Sequence, residues 1–93
     1  MHGPDTETAA RIIAENVVSA YERFREEPYL PEKRAVAVAG FLRELLTVMP
    51  TSSGAVLATA CNRHLSTLPD HGWFSPRIET IDVTDGSVTL EAE

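Results

Sequence analysis

The sequence is short of cysteine, clustered glycine and long apolar runs, and each shortage excludes a class of protein. Cys61 is the single cysteine among 93 residues, so no disulfide can form within the chain. A disulfide-stapled extracellular domain is therefore excluded, and a reducing, cytoplasmic location is expected. The five glycines are scattered along the chain, which excludes the Gly-rich loops that hold nucleotide phosphates.

Membrane segments and targeting signals are also missing from the sequence. No apolar run approaches the ~20 residues that a membrane-spanning helix needs. The first helical stretch is interrupted by Asp5, Glu7 and Arg11, so it does not resemble the apolar core of a signal peptide. We therefore expect no contact with a membrane.

Lysine is nearly absent, and acidic residues outnumber basic ones. The chain has one lysine, Lys33, and seven arginines. Its 14 Asp and Glu residues outnumber these eight basic residues, which leaves a net charge of −6. Such a surface repels nucleic-acid phosphates and anionic lipid. The charge therefore argues against nucleic acid as a partner and favours a neutral or basic protein.

The residues that are present predict one globular domain of the α+β class. Hydrophobic residues make up 43% and charged residues 24% of the chain, which is typical of a folded protein. Periodicity and turn signals predict a three-helix core with a C-terminal two-stranded antiparallel β-hairpin. The helices are expected over about residues 6–27, 31–49 and 52–68, and the hairpin over about residues 78–92.

The first helix has one apolar arc and one polar arc. Val17, Tyr21 and Phe24 fall on the apolar side at 100° per residue, whereas Glu22 falls on the opposite, solvent side. Pro28 is expected to end the helix.

The second helix carries an apolar arc that is wider than one neighbour can cover. Alternation from Ala35 to Ala39 is also compatible with a strand, but the length of the segment favours a helix. Its apolar residues, with three alanines among them, cover about 200° of the helix, so it requires cover on two sides. It is either the central helix of the domain or part of a subunit interface. We interpret the surplus as a contact surface that includes Phe41 and Leu45, and we predict a homodimer.

The third helix and the hairpin follow from capping and turn signals. A serine or threonine before Gly54 is expected to cap the helix, and Asn62 is expected on its outward face. Asp85-Gly86 predicts a tight two-residue turn. That turn would place Ile81 opposite Leu90, and both edges of the two-stranded sheet would remain open.

Cys61 and His64 are the only residues whose spacing suggests chemistry. At i and i+3 they share one helix face, so they could hold a metal ion or act as nucleophile and base. Both also lie within the apolar arc of the third helix, which favours a structural role in the core. No cofactor, metal or catalytic group is expected, and the sequence does not indicate an enzyme.

Trp73 and Phe74, with His71 before them, are the most informative residues for binding. The single tryptophan and an adjacent phenylalanine stand in a short segment between two turns. Large aromatic side chains dominate the energetics of protein interfaces. These residues either close the open end of the core or contact a partner.

The order of helices and hairpin resembles the end of a winged-helix domain. The segment from Arg63 to Phe74, which leads into the two strands, is similar to a recognition helix followed by a glycine-containing turn and a wing. The resemblance implies a DNA-binding regulator that uses Arg63 and Arg77 near the wing. The sequence as a whole instead favours a small protein–protein interaction module, and DNA binding is the alternative.

Overall fold

The computed structural model describes residues 4–49, 52–68 and 76–91, and it confirms the α+β architecture. Helix α1 spans Pro4–Arg25, α2 spans Pro31–Val48 and α3 spans Gly54–Leu65. Strand β1, Arg77–Ile81, pairs antiparallel with strand β2, Val88–Glu91. Helix α2 packs against both other helices, while β1 lies against α3 and β2 lies against α1.

Helix α1 ends two residues before the predicted position because the backbone becomes left-handed at Glu26. Glu26 has φ of 57°, and its N–H donates to the carbonyl of Arg23 at 3.2 Å. The N–H of Glu27 donates to the carbonyl of Glu22, also at 3.2 Å, which is the pattern of a Schellman cap. Pro28 adds to this stop because it disfavours helical backbone at the residue before it.

The corner between α1 and α2 is held by a side chain that was predicted to face solvent. The carboxylate of Glu22 accepts the N–H of Tyr29 at 2.7 Å and the Nε–H of Arg34 at 3.3 Å. Arg34 also donates from Nη2 to Ser19 Oγ at 2.8 Å. Glu22 is half-buried as a result, and it fixes the direction in which α2 leaves the corner.

Helix α3 is shorter than predicted at both ends. Ser53 is the N-cap, and its side chain accepts the N–H of Val56 at 3.4 Å. Beyond the last helical residue, Thr67 donates to the carbonyl of His64 at 2.9 Å and Leu68 donates to that of Leu65 at 3.2 Å. These i→i+3 bonds are tighter than α-helical ones, so the helix closes in a turn.

The hairpin differs from the prediction in its register. Ile81 lies opposite Val88, and Ile78 lies opposite Leu90, with an irregularity in β1 between these two pairs. Residues 82–87 form a longer loop, in which the N–H of Asp82 donates to the carbonyl of Ser87 at 2.9 Å. The predicted two-residue turn and the pairing of Ile81 with Leu90 were therefore wrong.

Side chains of the loop itself decide this longer turn. The Asp82 carboxylate accepts the N–H of Thr84 at 2.9 Å, and the Asp85 carboxylate accepts the N–H of Ser87 at 2.8 Å. Such contacts stabilise turns that compete with a two-residue hairpin. Gly86 has φ of +77°, a conformation that favours glycine, and it accepts a hydrogen bond from Asn16 at its carbonyl.

The core lies between the three helices and the inner side of the hairpin. Its largest fully buried side chains come from all three helices, from β1 and from the residue before β1: Ile13, Val17, Val18, Phe41, Leu45, Leu57, Cys61, Leu65, Pro76 and Ile78. Phe24, predicted on the buried arc of α1, is instead 41% exposed. Among the described residues, no helix has both the length and the apolar character needed to cross a bilayer.

Candidate binding surfaces

The predicted contact residues fall into two groups. Trp73, Phe74 and His71 lie outside the described residues, so their role stays a prediction. Phe41 and Leu45 are 0% exposed and belong to the core. In the folded chain, a contact surface on α2 has to be formed by other residues.

The outward face of α2, defined by Ala35, Val36 and Ala39, is apolar and exposed. Val36 is 73% exposed, the largest value among the exposed large hydrophobic side chains of the described residues. The three residues are neighbours on the helix surface at spacings of one, three and four. Exposed Lys33 and Arg43 border them along the helix.

The exposed apolar surface of α2 centres on Val36, which the predicted arc did not include, although the alanines beside it belonged to that arc. Val38 points into the core with 7% exposure, whereas Val36, two residues earlier, points away from it. The available signal was the unbroken apolar run from Ala35 to Ala39, since five consecutive apolar residues leave no polar face on a helix.

Helices α2 and α3 meet closely at Gly40. A methyl group added at this position would lie 2.2 Å from His64 Nε2. The His64 ring also packs edge-on against Phe41, with centroids 4.8 Å apart and planes at 86°. His64 therefore fills the space that the missing side chain of Gly40 leaves.

Cys61 and His64 share this helix interface, and their environment suppresses ionisation. Burial, together with the nearby Glu44 carboxylate, raises the pKa of the Cys61 thiol to about 12. Burial also lowers the pKa of His64, an effect that Glu44 opposes and Arg43 reinforces. A thiol of this kind is a weak nucleophile at neutral pH, because the thiolate is the reactive form. Within the described part of the chain, no three metal-binding side chains cluster together.

Asn62 has a role that the sequence did not reveal. It was expected on the outward face of α3, but its side-chain amide binds the backbone of β1. Nδ2 donates to the carbonyl of Ile78 at 2.9 Å, and Oδ1 accepts the Ile78 N–H at 2.7 Å. The amide therefore occupies the outer edge of β1 as a neighbouring strand would.

A shallow depression lies on the surface of α1, lined by Glu7, Thr8, Arg11, Ile12 and Glu15. Arg11 and Glu7 form an exposed i,i+4 ion pair at 3.7 Å. All of the lining comes from one helix, so the depression has no opposing wall that could enclose a ligand.

None of the protein-family models, characterised proteins or solved structures compared with this chain matches it.

Proposed function

We propose that this protein is a small cytoplasmic protein–protein interaction module, a regulator, adaptor or inhibitor that acts by binding and forms a homodimer. The observation that carries the proposal is the outward face of α2. Ala35, Val36 and Ala39 are exposed there although α2 also supplies Phe41 and Leu45 to the core. Exposed apolar surface with a polar border is typical of a protein contact site.

The chemistry of the partner follows from this face. The side chains of valine and alanine are short, so a partner's helix can pack closely against this face of α2. Exposed Glu32, Lys33 and Arg43 border the apolar residues, so the rim of this face carries charges of both signs. A partner with an apolar helix face and a rim of mixed charge fits this surface.

A binding role is also supported by the state of the only thiol. Cys61 is fully buried, and burial raises the pKa of its thiol to about 12, so little of it is the reactive thiolate at neutral pH. Its partner at i+3, His64, is committed to packing against Gly40 and Phe41.

A photo-crosslinking amino acid at position 36, compared with one at position 59, tests the proposal. Thr59 is exposed on α3, so it is a matched surface control. In the native host we expect a discrete adduct with one protein at position 36 and none at position 59. With that protein purified, Val36→Lys should weaken binding at least tenfold, while Thr59→Lys should leave it unchanged.

Two results would count against the proposal. If no specific adduct formed at position 36 in the host, the proposed interaction at this face would be contradicted. Salt-sensitive DNA binding at micromolar protein, lost on replacing Arg63 and Arg77 with alanine, would support the DNA-binding alternative instead.

A further inference from the structure

The two outer edges of the hairpin differ in their contacts with the rest of the fold. On β1, Asn62 satisfies both backbone groups of Ile78, and the Ile81 carbonyl lies so close to α3 that a methyl group at Gly54 would be 2.2 Å away. On β2, over the described ranges, the backbone of Val88–Glu91 has no hydrogen bond to any element except β1. Within the part of the chain that the structure describes, the outer edge of β2 is thus an open strand edge.

The hydrogen-bond pattern identifies which groups of β2 face this open edge. In an antiparallel pair, opposite residues alternately exchange hydrogen bonds and direct them outward. Ile78 directs its N–H and carbonyl outward to Asn62, so Leu90 opposite it also directs its groups outward. Asp82 bonds to Ser87, so the next pair along the ladder, which contains Val88, is again outward. Val88 and Leu90 therefore present two donors and two acceptors.

This arrangement is complementary to itself. If a second β2 lies antiparallel across the edge, with a two-fold axis at Thr89, Val88 of each copy faces Leu90 of the other. Both pairs can then exchange their N–H and carbonyl groups, which makes four hydrogen bonds. The two Thr89 side chains meet on the outer face, and threonine pairs are favourable across strands.

Charge favours a second copy over a charged peptide. Glu91 is the one charged residue of β2, and it is already ion-paired with Arg77 at 3.2 Å. In the two-fold register each Glu91 faces Ser87 of the other copy. The two Glu91 residues are four residues apart along the strands, about 13 Å, which exceeds the screening length at physiological salt.

Apolar side chains at the same edge are incompletely covered. Ile78 and Ile81 of β1 are 0% and 2% exposed, whereas Val88 and Leu90 of β2 are only half-buried. Ile12 of α1, which lies against Gly86 at the start of β2, is 46% exposed. A second copy would continue the apolar layer beyond β2.

We infer that two copies of this protein pair through β2, antiparallel about Thr89, and form a continuous four-stranded sheet. The inference rests on the proposed function, because it assigns the homodimer of that module to a definite edge. Four-residue strands form a small interface, so the dissociation constant is expected in the micromolar range.

Cysteine substitution at two exposed threonines tests the register. Opposite residues that do not exchange hydrogen bonds have Cα atoms about 4.5 Å apart, which suits a disulfide. Thr89→Cys should therefore form a covalent dimer in a glutathione redox buffer. Thr80 lies opposite Thr89 on β1 and is equally exposed, but the two Thr80 residues would be about 14 Å apart across three strand spacings. Thr80→Cys should give less than a tenth of the dimer, and buried Cys61 is present in both variants.

Lysine at the same positions gives a second test without any new thiol. Sedimentation equilibrium should show a mass that rises with concentration from 10.2 kDa towards twice that value. Thr89→Lys places like charges opposite each other and should weaken the dimer at least about tenfold, while Thr80→Lys should change it less than twofold.

The outcomes separate this inference from the proposed function. A wild-type chain that stays monomeric, a dimer that tolerates Thr89→Lys, or equal crosslinking of both cysteine variants would overturn pairing through β2. Crosslinking at position 36 in the host tests the binding role on a different face. A monomeric chain would also remove the homodimer from the proposed function, but the binding role of the α2 face would stand. A dimer that tolerates Thr89→Lys would overturn only the assignment to β2.

Discussion

At the scale of single residues, Gly40 of α2 lies directly against the His64 ring of α3. Glycine inside a helix costs about 1 kcal/mol relative to alanine, so its position in the middle of α2 needs a compensating contact. The His64 ring supplies this contact, since it occupies the volume that a Cβ at position 40 would need. The same ring then packs edge-on against Phe41.

Gly40→Ala should consequently destabilise the protein despite its better helix propensity. We expect a net loss of about 1–3 kcal/mol in the free energy of unfolding, because overpacking at a buried contact forces its neighbours to shift. Urea unfolding followed by circular dichroism measures this loss.

The control for this prediction is the same substitution in a His64→Ala background. There the space beside position 40 is empty, so Gly40→Ala should be neutral or stabilising by up to about 1 kcal/mol. Equal effects in both backgrounds would mean that the ring of His64 is not what requires the glycine.

At the scale of elements, α3 is attached to the hairpin by a polar contact as well as by apolar packing. Leu57 and Leu65 of α3 are buried with Ile78 and Ile81 of β1. Asn62 makes two hydrogen bonds to the backbone of β1, and these bonds fix the position of the strand along α3. Apolar contacts alone would allow the strand to slide.

Asn62→Ala should therefore loosen the hairpin more than a surface mutation would. It leaves the N–H and carbonyl of buried Ile78 without their partners, and we expect a loss of about 1–3 kcal/mol. Arg63→Ala, an exposed change at the next position, should stay within about 0.5 kcal/mol. Urea unfolding of the two variants, with amide exchange at Ile78, measures the difference.

Asn62→Asp distinguishes hydrogen bonding from simple packing at this position. Aspartate has nearly the same shape and can accept the Ile78 N–H, but an ionised carboxylate cannot donate to the Ile78 carbonyl. It should destabilise the protein as Asn62→Ala does. A stable Asn62→Asp variant at neutral pH would show that the donor half of the contact contributes nothing.

At the scale of the whole molecule, stability depends on two groups that the core keeps uncharged. Burial lowers the pKa of His64 from its usual 6.5, so between the two values the unfolded chain binds more protons than the folded one. Burial raises the pKa of Cys61 from 9.0 to about 12, so above 9.0 the unfolded thiol ionises while the folded thiol does not.

The free energy of unfolding should accordingly fall on both sides of a plateau. The contribution of His64 is present above 6.5 and is lost as the pH falls below it, whereas that of Cys61 is present below 9.0 and is lost as the pH rises above it. Urea unfolding at a series of pH values across this range measures both slopes.

Single variants assign each slope to its residue. His64→Gln should flatten the acidic side, and Cys61→Ala should flatten the alkaline side, whatever their effects on the plateau itself. The thiol is the one titrating group that Cys61→Ala removes. An unchanged alkaline slope of the free energy of unfolding in this variant would therefore contradict the assignment to Cys61.

The local sequence determined the element types and their order. Helical periodicity, Pro28 and the Asp85-Gly86 turn signal predicted three helices and a hairpin, since these signals act between residues close in the chain. The wide apolar arc of the second helix also predicted that this helix requires cover on two sides.

Tertiary packing decided which residues face what. Asn62 and Glu22 were expected in solvent, yet each finds backbone partners on an element distant in sequence or across a corner. Phe41 and Leu45 were expected at a partner contact. They lie in the core instead, because α1 and α3 enclose that side of α2.

The hairpin shows which features the local sequence determines and which features depend on the tertiary structure. Its existence follows from the sequence, but its register depends on carboxylates that build the loop and on Asn62 at the edge of β1. The covered edge of β1 and the open edge of β2 are likewise decided by where α3 lies. Contacts between residues far apart in the chain carry no local periodicity, and for that reason only the tertiary structure reveals them.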